Sequence, residues 1–145
     1  MIAVDTNVLA RFYCDDPDDP EAARQRPIAK KILLSSEAVF VPITVILELE
    51  RMMRGFYETP PAAFTRVMKH LLGLANVTVE DWQAVDSALD LHDAGLDFAD
   101  ALHLGKSAHC TEFITFDDKR FAKKMTRASD RSVDGRKGPV VRVPK

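Results

Sequence analysis

Cysteine is scarce in this sequence. Cys14 and Cys110 are the only two in 145 residues; they lie far apart, with no CxxC and no histidine at ligand spacing. Neither a disulfide framework nor a zinc site is indicated, and two reduced, partly buried thiols are expected. Long apolar runs are missing too. None approaches the roughly 20 residues of a membrane span, and 29% charged residues mixed evenly among 46% hydrophobic ones argue against a membrane protein. The apolar sequence starts at Ile2, which leaves no space for a basic segment, an apolar segment and a cleavage site ahead of it. A cytoplasmic location is therefore expected. No internal repeat, low-complexity tract or linker divides the chain. Its length suffices to bury one core without staples, so a single domain over 1–145 is expected, with a basic, partly mobile segment from about 126.

The formal net charge of −2 conceals an asymmetry: residues 1–118 hold 10 Lys+Arg against 20 Asp+Glu, and residues 119–145 hold 10 against 2. An acidic body with a basic tail can hold a polyanion near a cation-loaded acidic site, because lysine and arginine neutralise phosphates. A merely solvated terminus is the plainer reading of the same tail.

Short apolar runs alternate with amphipathic ones. Ile2-Ala3-Val4 reads as a buried strand that meets Asp5 where a helix of about 7–13 begins. Asp19-Pro20-Glu21 is a helix start, with a cap, a proline at the first position and an acid in the first turn. Pro27 should kink or restart that helix before it ends near Ser35. Residues 39–41 form a second strand. The helix over 44–55 has the clearest stripe, with Val45, Leu49, Met52 and Phe56 at one face and Ile46 and Met53 widening it. A helix through Phe64, Met68 and Leu71 follows Pro60-Pro61. Residues 77–79 give a third strand, Trp82, Val85 and Leu89 mark the next helix, and Gly95 separates it from a helix beginning at Asp97. Residues 113–116 form a fourth strand, followed by a basic helix over 119–125, a mobile loop over 129–138 and a last edge strand over 140–143. Strands alternating with helices imply an α/β fold with a mainly parallel sheet covered on both faces.

Asp5 and Asp117 each follow a short apolar strand, and in a parallel sheet both project from the same edge. Asp100 lies in the first turn of its helix. Glu48 falls at the border of the apolar stripe beside Met52, while Glu50 has a ready pair in Arg54 at i+4. Carboxylates gathered at one edge repel one another, and a hard divalent cation resolves the conflict. Mg²⁺ or Mn²⁺ prefers oxygen ligands and can activate water against a phosphodiester. Each acid also has a structural reading. Asp97 and Asp100 are close to a capping box, Asp117 can cap the next helix, and Glu48 can pair with Arg51.

The motifs Val4-Asp5-Thr6-Asn7-Val8-Leu9, Thr44-Val45-Ile46-Leu47-Glu48-Leu49, Asp97-Phe98-Ala99-Asp100-Ala101-Leu102-His103 and Thr115-Phe116-Asp117 resemble, in order, the four motifs of PIN domains. Among these the chain most resembles the VapC-type toxins of bacterial toxin–antitoxin pairs. The resemblance runs from Met1 to about Phe121. It implies a three-layer α/β/α sandwich with a mainly parallel central sheet of four to five strands, and a ribonuclease dependent on Mg²⁺ or Mn²⁺. Asp5, Glu48, Asp100 and Asp117 would be its catalytic, metal-ligating acids, and Thr6, Asn7, Asp97 and Thr115 its supporting residues. It also implies an RNA substrate, a homodimer and a cognate antitoxin gripping the region around 44–72. Pro27, the extra acid Asp97 and the basic tail depart from the pattern.

Two other classes stand beside this one. Asp5-Thr6 after a strand could mark an aspartyl phosphotransfer protein, but the second acid of such motifs is replaced by Asn7. A non-catalytic module could use the helices around 44–72 and the basic tail to bind protein or RNA.

Overall fold

Parallel pairing governs every strand described in the computed structural model, which describes residues 1–117, 123–127 and 138–145. The chain forms two compact units, Met1–Trp82 and Gln83–Lys145.

The first unit is a three-stranded sheet in the order β1 (Ile2–Ala3), β2 (Val39–Val41), β3 (Val77–Val79). Ile2 pairs with Val39, and Val39 with Val77. Each crossover holds two helices: α1 (Thr6–Tyr13) and α2 (Pro20–Ser35), then α3 (Ile43–Gly55) and α4 (Pro61–Leu72). Parallel neighbours require such crossovers, because a tight turn cannot return the chain to the same strand direction. The central strand is the most deeply packed, with Val39 and Val41 fully buried, whereas Ile2 and Ala3 are exposed. Within this sheet, β1 has a described neighbour on one side only, and the exposure of Ile2 and Ala3 departs from the buried strand that their apolar sequence predicts.

Asp19 caps α2 as expected, accepting the Glu21 N–H at 3.0 Å, with Pro20 in the first turn. Pro27, however, neither ends nor restarts the helix, which is assigned without a break from Pro20 to Ser35. Proline removes the donor to the carbonyl four residues back. Here Ala23 and Pro27 are both exposed, so that carbonyl has access to water. At the other end of α2, Asn76 Nδ2 donates to the carbonyls of Leu33 (2.9 Å) and Ser36 (3.0 Å). These bonds satisfy carbonyls that a helix end leaves open and join α2 to the approach to β3.

The stripe on α3 is turned from its expected position. Val45, Ile46, Leu49, Glu50 and Met53 are buried, Met52 is half-buried, and Phe56 is 70% exposed. Packing against α1 and α4 selects this face. Complete burial of Ile46 and Leu49 is worth about 1.5–3 kcal/mol each.

The second unit takes in α5 (Trp82–Asp93) from its second residue, α6 (Phe98–Lys106), β4 (Glu112–Ile114) and β5 (Val140–Arg142). Val85, Ala88, Leu89 and His92 line the buried face of α5. Gly95 adopts φ +102°, a left-handed conformation that a side chain would strain, and it turns the chain toward α6. Phe98, Ala101, Leu102 and Leu104 form the buried face of α6, with Phe98 edge-on to the His92 ring at 5.9 Å. β4 and β5 pair in parallel, Glu112 opposite Val140 and Ile114 opposite Arg142, and Arg142 makes an ion pair with Glu112 at 3.3 Å.

The five described strands therefore hydrogen-bond as sets of three and two. Residues 123–127 are helical, with Met125 buried. The start of the expected basic helix, and the expected loop over 129–138 up to residue 137, lie outside the described residues. Among the described residues no helix is long and apolar enough to cross a membrane.

Candidate active site

In the first unit, Asp5 follows β1 and opens α1. Its extended backbone and short side chain let Oδ1 accept the Thr6 N–H at 2.8 Å, satisfying one of the donors a helix start leaves open. The carboxylate stays exposed to solvent, as does Asn7. Thr6 is buried between them, and its hydroxyl has no hydrogen-bond partner among the described residues. A buried hydroxyl without a partner is costly.

The two acids of α3 have opposite surroundings because they stand 200° apart on the helix wheel. Glu50 is 4% exposed and is held by Arg54, whose Nε lies 3.0 Å from Oε1. Glu48 is exposed. Glu50 is thereby committed to a structural ion pair, and Glu48 is the α3 acid open to an external ligand.

In the second unit, Asp97 caps α6: its Oδ2 accepts the Asp100 N–H at 3.2 Å. Asp100 is half-buried, and its pKa is pushed up to about 6. Partial burial is the main cause; the negative charge of Asp97 comes next, and Asp117 adds to it, while His103 one turn along α6 opposes the rise. Thr115 and Asp117 form a closed turn in which the Asp117 N–H donates to Thr115 Oγ1 at 3.1 Å and that hydroxyl lies 3.2 Å from Asp117 Oδ2. Asp117 itself is exposed.

Asp97, Asp100 and Asp117 thus form an electrostatically coupled set in the second unit, and Asp5 and Glu48 are exposed acids of the first. An all-oxygen donor set in which neighbouring carboxylates help raise the pKa of Asp100 suits a hard divalent cation and not a soft one. Among the described residues, no group of three or more His, Cys, Asp or Glu side chains stands close enough together to hold a metal ion.

Two residues outside the expected set of site residues act on these elements. His103 stands beside Asp100 electrostatically; its spacing at i+3 on one helix was the available signal. Glu80 directly follows β3, and its carboxylate accepts the Ile43 N–H at 3.1 Å.

The PIN domain family model matches residues 2–125, a span that runs across the boundary between the two units and includes every acid named above. Comparison with curated proteins finds no match.

Proposed function

The chain belongs to the PIN domain family, and from that premise we propose that it is a divalent-metal-dependent endoribonuclease, the toxin of a bacterial toxin–antitoxin pair of the VapC type. PIN domains are generally nuclease domains, and PIN nucleases generally use divalent metals. The observation that carries the reading is the family match across the whole stretch bearing Asp5, Glu48, Asp100 and Asp117.

In this reading those four carboxylates are the ligands for Mg²⁺ or Mn²⁺, and residues 1–145 act as one domain. The bound cation would supply charge neutralisation at the phosphodiester and a lowered pKa for an attacking water. Asp97 holds the first turn of α6, on which Asp100 rides, and the Thr115 hydroxyl orients Asp117. Thr6 and Asn7 surround Asp5 with polar groups that can hydrogen-bond at the ligand set. The substrate is RNA, a cognate antitoxin restrains the enzyme, the active form is a homodimer, and the protein works in the cytoplasm.

Purified protein should cleave RNA with Mg²⁺ or Mn²⁺ and lose that activity in excess EDTA. Asp5→Asn and Asp100→Asn should each be inactive. Undiminished cleavage by either variant, or in EDTA, would overturn the proposal. Sequencing RNA ends after brief induction in cells, with Asp5→Asn as the control, identifies the target. Co-purification with the product of an adjacent gene tests the antitoxin, and sedimentation tests the dimer.

A further inference from the structure

α3 begins without a cap of its own. The residue before it is Pro42, which has no side-chain oxygen to offer, and no side chain at that position bonds the first turn. Among the N–H groups left open at such a helix start, that of Ile43 is taken by a residue 37 positions away: Glu80 Oε1 accepts it at 3.1 Å. The same residue's backbone N–H donates to the Val41 carbonyl at 2.9 Å. Glu80 therefore bonds to both sides of the elbow Val41-Pro42-Ile43, where β2 becomes α3. Its main chain extends the β2–β3 pairing by one rung, and its side chain caps the helix. Asp81, immediately after it, has φ +50°, a left-handed conformation uncommon for a residue with a side chain. The chain thus turns away directly beyond the residue that makes both bonds.

Glu48 lies five residues along α3 from Ile43, less than two turns. A helix behaves as a rigid rod over that distance, so whatever fixes its first turn fixes the direction and axial position of Glu48. We propose that Glu80 is a positioning residue: it clamps the β2–α3 elbow and so holds Glu48 in place for its ligand. This rests on the proposed role of Glu48 as a ligand to a divalent cation.

Two alternatives make different demands on the side chain. If Glu80 acts as a hydrogen-bond acceptor, glutamine keeps Oε1 at the same reach and should replace it. If it is itself a cation ligand, loss of the negative charge is decisive. Shortening it to aspartate keeps the charge but withdraws the acceptor from Ile43.

The test compares the full-length protein with Glu80→Gln, Glu80→Asp, Glu80→Ala and Glu48→Gln. It uses amide hydrogen exchange over residues 43–48 and calorimetric titration with Mn²⁺ alone. Glu80→Ala and Glu80→Asp should speed exchange in the first turn of α3 by about tenfold, the effect of losing one hydrogen bond of about 1.4 kcal/mol. They should also weaken Mn²⁺ binding by about tenfold, the low end for a group that orients a ligand. Glu80→Gln should stay within about threefold of the parent in both, which a general loss of stability would not reproduce. Unchanged exchange in Glu80→Asp would overturn the clamp. So would a Glu80→Gln variant that loses Mn²⁺ as completely as Glu48→Gln with exchange unaltered, because it would make Glu80 a ligand. Should Glu80→Ala not fold, the glutamine and aspartate variants decide alone. A parent protein that neither binds Mn²⁺ nor cleaves RNA would defeat the nuclease reading by itself, while the exchange pattern would still decide the clamp.

Discussion

The carboxylate of Asp97 accepts the backbone N–H of Asp100 at 3.2 Å, so the bond that caps α6 also brings the cap acid beside the acid of the first turn. A cap of this kind ordinarily stabilises a helix. Here it has a second effect, because the negative charge of Asp97 helps hold a proton on Asp100.

Asparagine can keep the cap while removing the charge. Asp97→Asn should therefore preserve stability within about 0.5 kcal/mol, whereas Asp97→Ala should cost about 1 kcal/mol, the usual value of a helix cap. Urea denaturation measures both. In the asparagine variant the Asp100 carboxyl should also titrate at lower pH, which carboxyl NMR reports. A titration unmoved by loss of the neighbouring charge would refute the coupling.

Asp100 gives the metal-free protein a pH dependence of definite sign. Its folded pKa of about 6 lies above its ordinary value of 3.8, so the folded state holds the proton more tightly than the unfolded one. The stability linked to that proton is complete below about pH 4 and is lost as pH rises through about 6. Asp100→Asn should accordingly raise Tm at pH 8 without metal. Because the group is only half-buried, solvent screening limits the gain to about 1 kcal/mol, or about 2–4 °C for a chain of this size. The variant's advantage should vanish near pH 4. A Tm difference constant from pH 4 to 8 would contradict the assignment.

If Asp100 ligates the cation, protons and cation compete for it. At limiting Mn²⁺ the apparent affinity should fall by up to about tenfold per pH unit below about 6, and added Mn²⁺ should restore activity. Cleavage rates across a grid of pH and Mn²⁺ concentration test this. A profile that stays flat down to about pH 4 would remove Asp100 from the ligand set.

Glu50 is buried and Arg54 neutralises it at 3.0 Å. Arg54→Ala would leave a buried carboxylate without its cation, which should cost about 1–3 kcal/mol. Glu50→Gln should cost less, since an exposed arginine can be solvated by water. Chemical denaturation of the two variants decides the order; equal costs would mean that Glu50 reaches water by another route.

Several features were legible because they depend on bonds between near neighbours. Asp19 before Pro20, Asp97 three residues before Asp100, and the pair Glu50 and Arg54 all act within one helical turn, so their spacing alone announces them. The alternation of short apolar runs with amphipathic ones likewise identified β2, β3 and the helices between them. Pro27 does not restart its helix as expected, because the cost of a proline depends on whether the freed carbonyl meets water, and the exposed setting of Ala23 and Pro27 is a property of packing. On α3, the sequence pattern allowed more than one apolar face; α1 and α4 select the one that buries Glu50 and Met53 and leaves Phe56 in solvent.

By itself, then, the sequence determined the order of elements, the local caps and the placement of Asp5 and Asp100 at helix starts, since each follows from torsional preference and hydrogen bonds a few residues long; Asp117, expected directly after its strand, stands three residues beyond the end of β4 at Ile114. The tertiary structure alone decided the exposure of β1, the burial of Glu50 while Glu48 stays exposed, the partial burial that is the main cause of the raised Asp100 pKa, and the grip of Glu80 on Ile43. Each of these depends on how burial and charge are distributed among segments distant in sequence, and the free energy of such contacts exists only once the chain has packed.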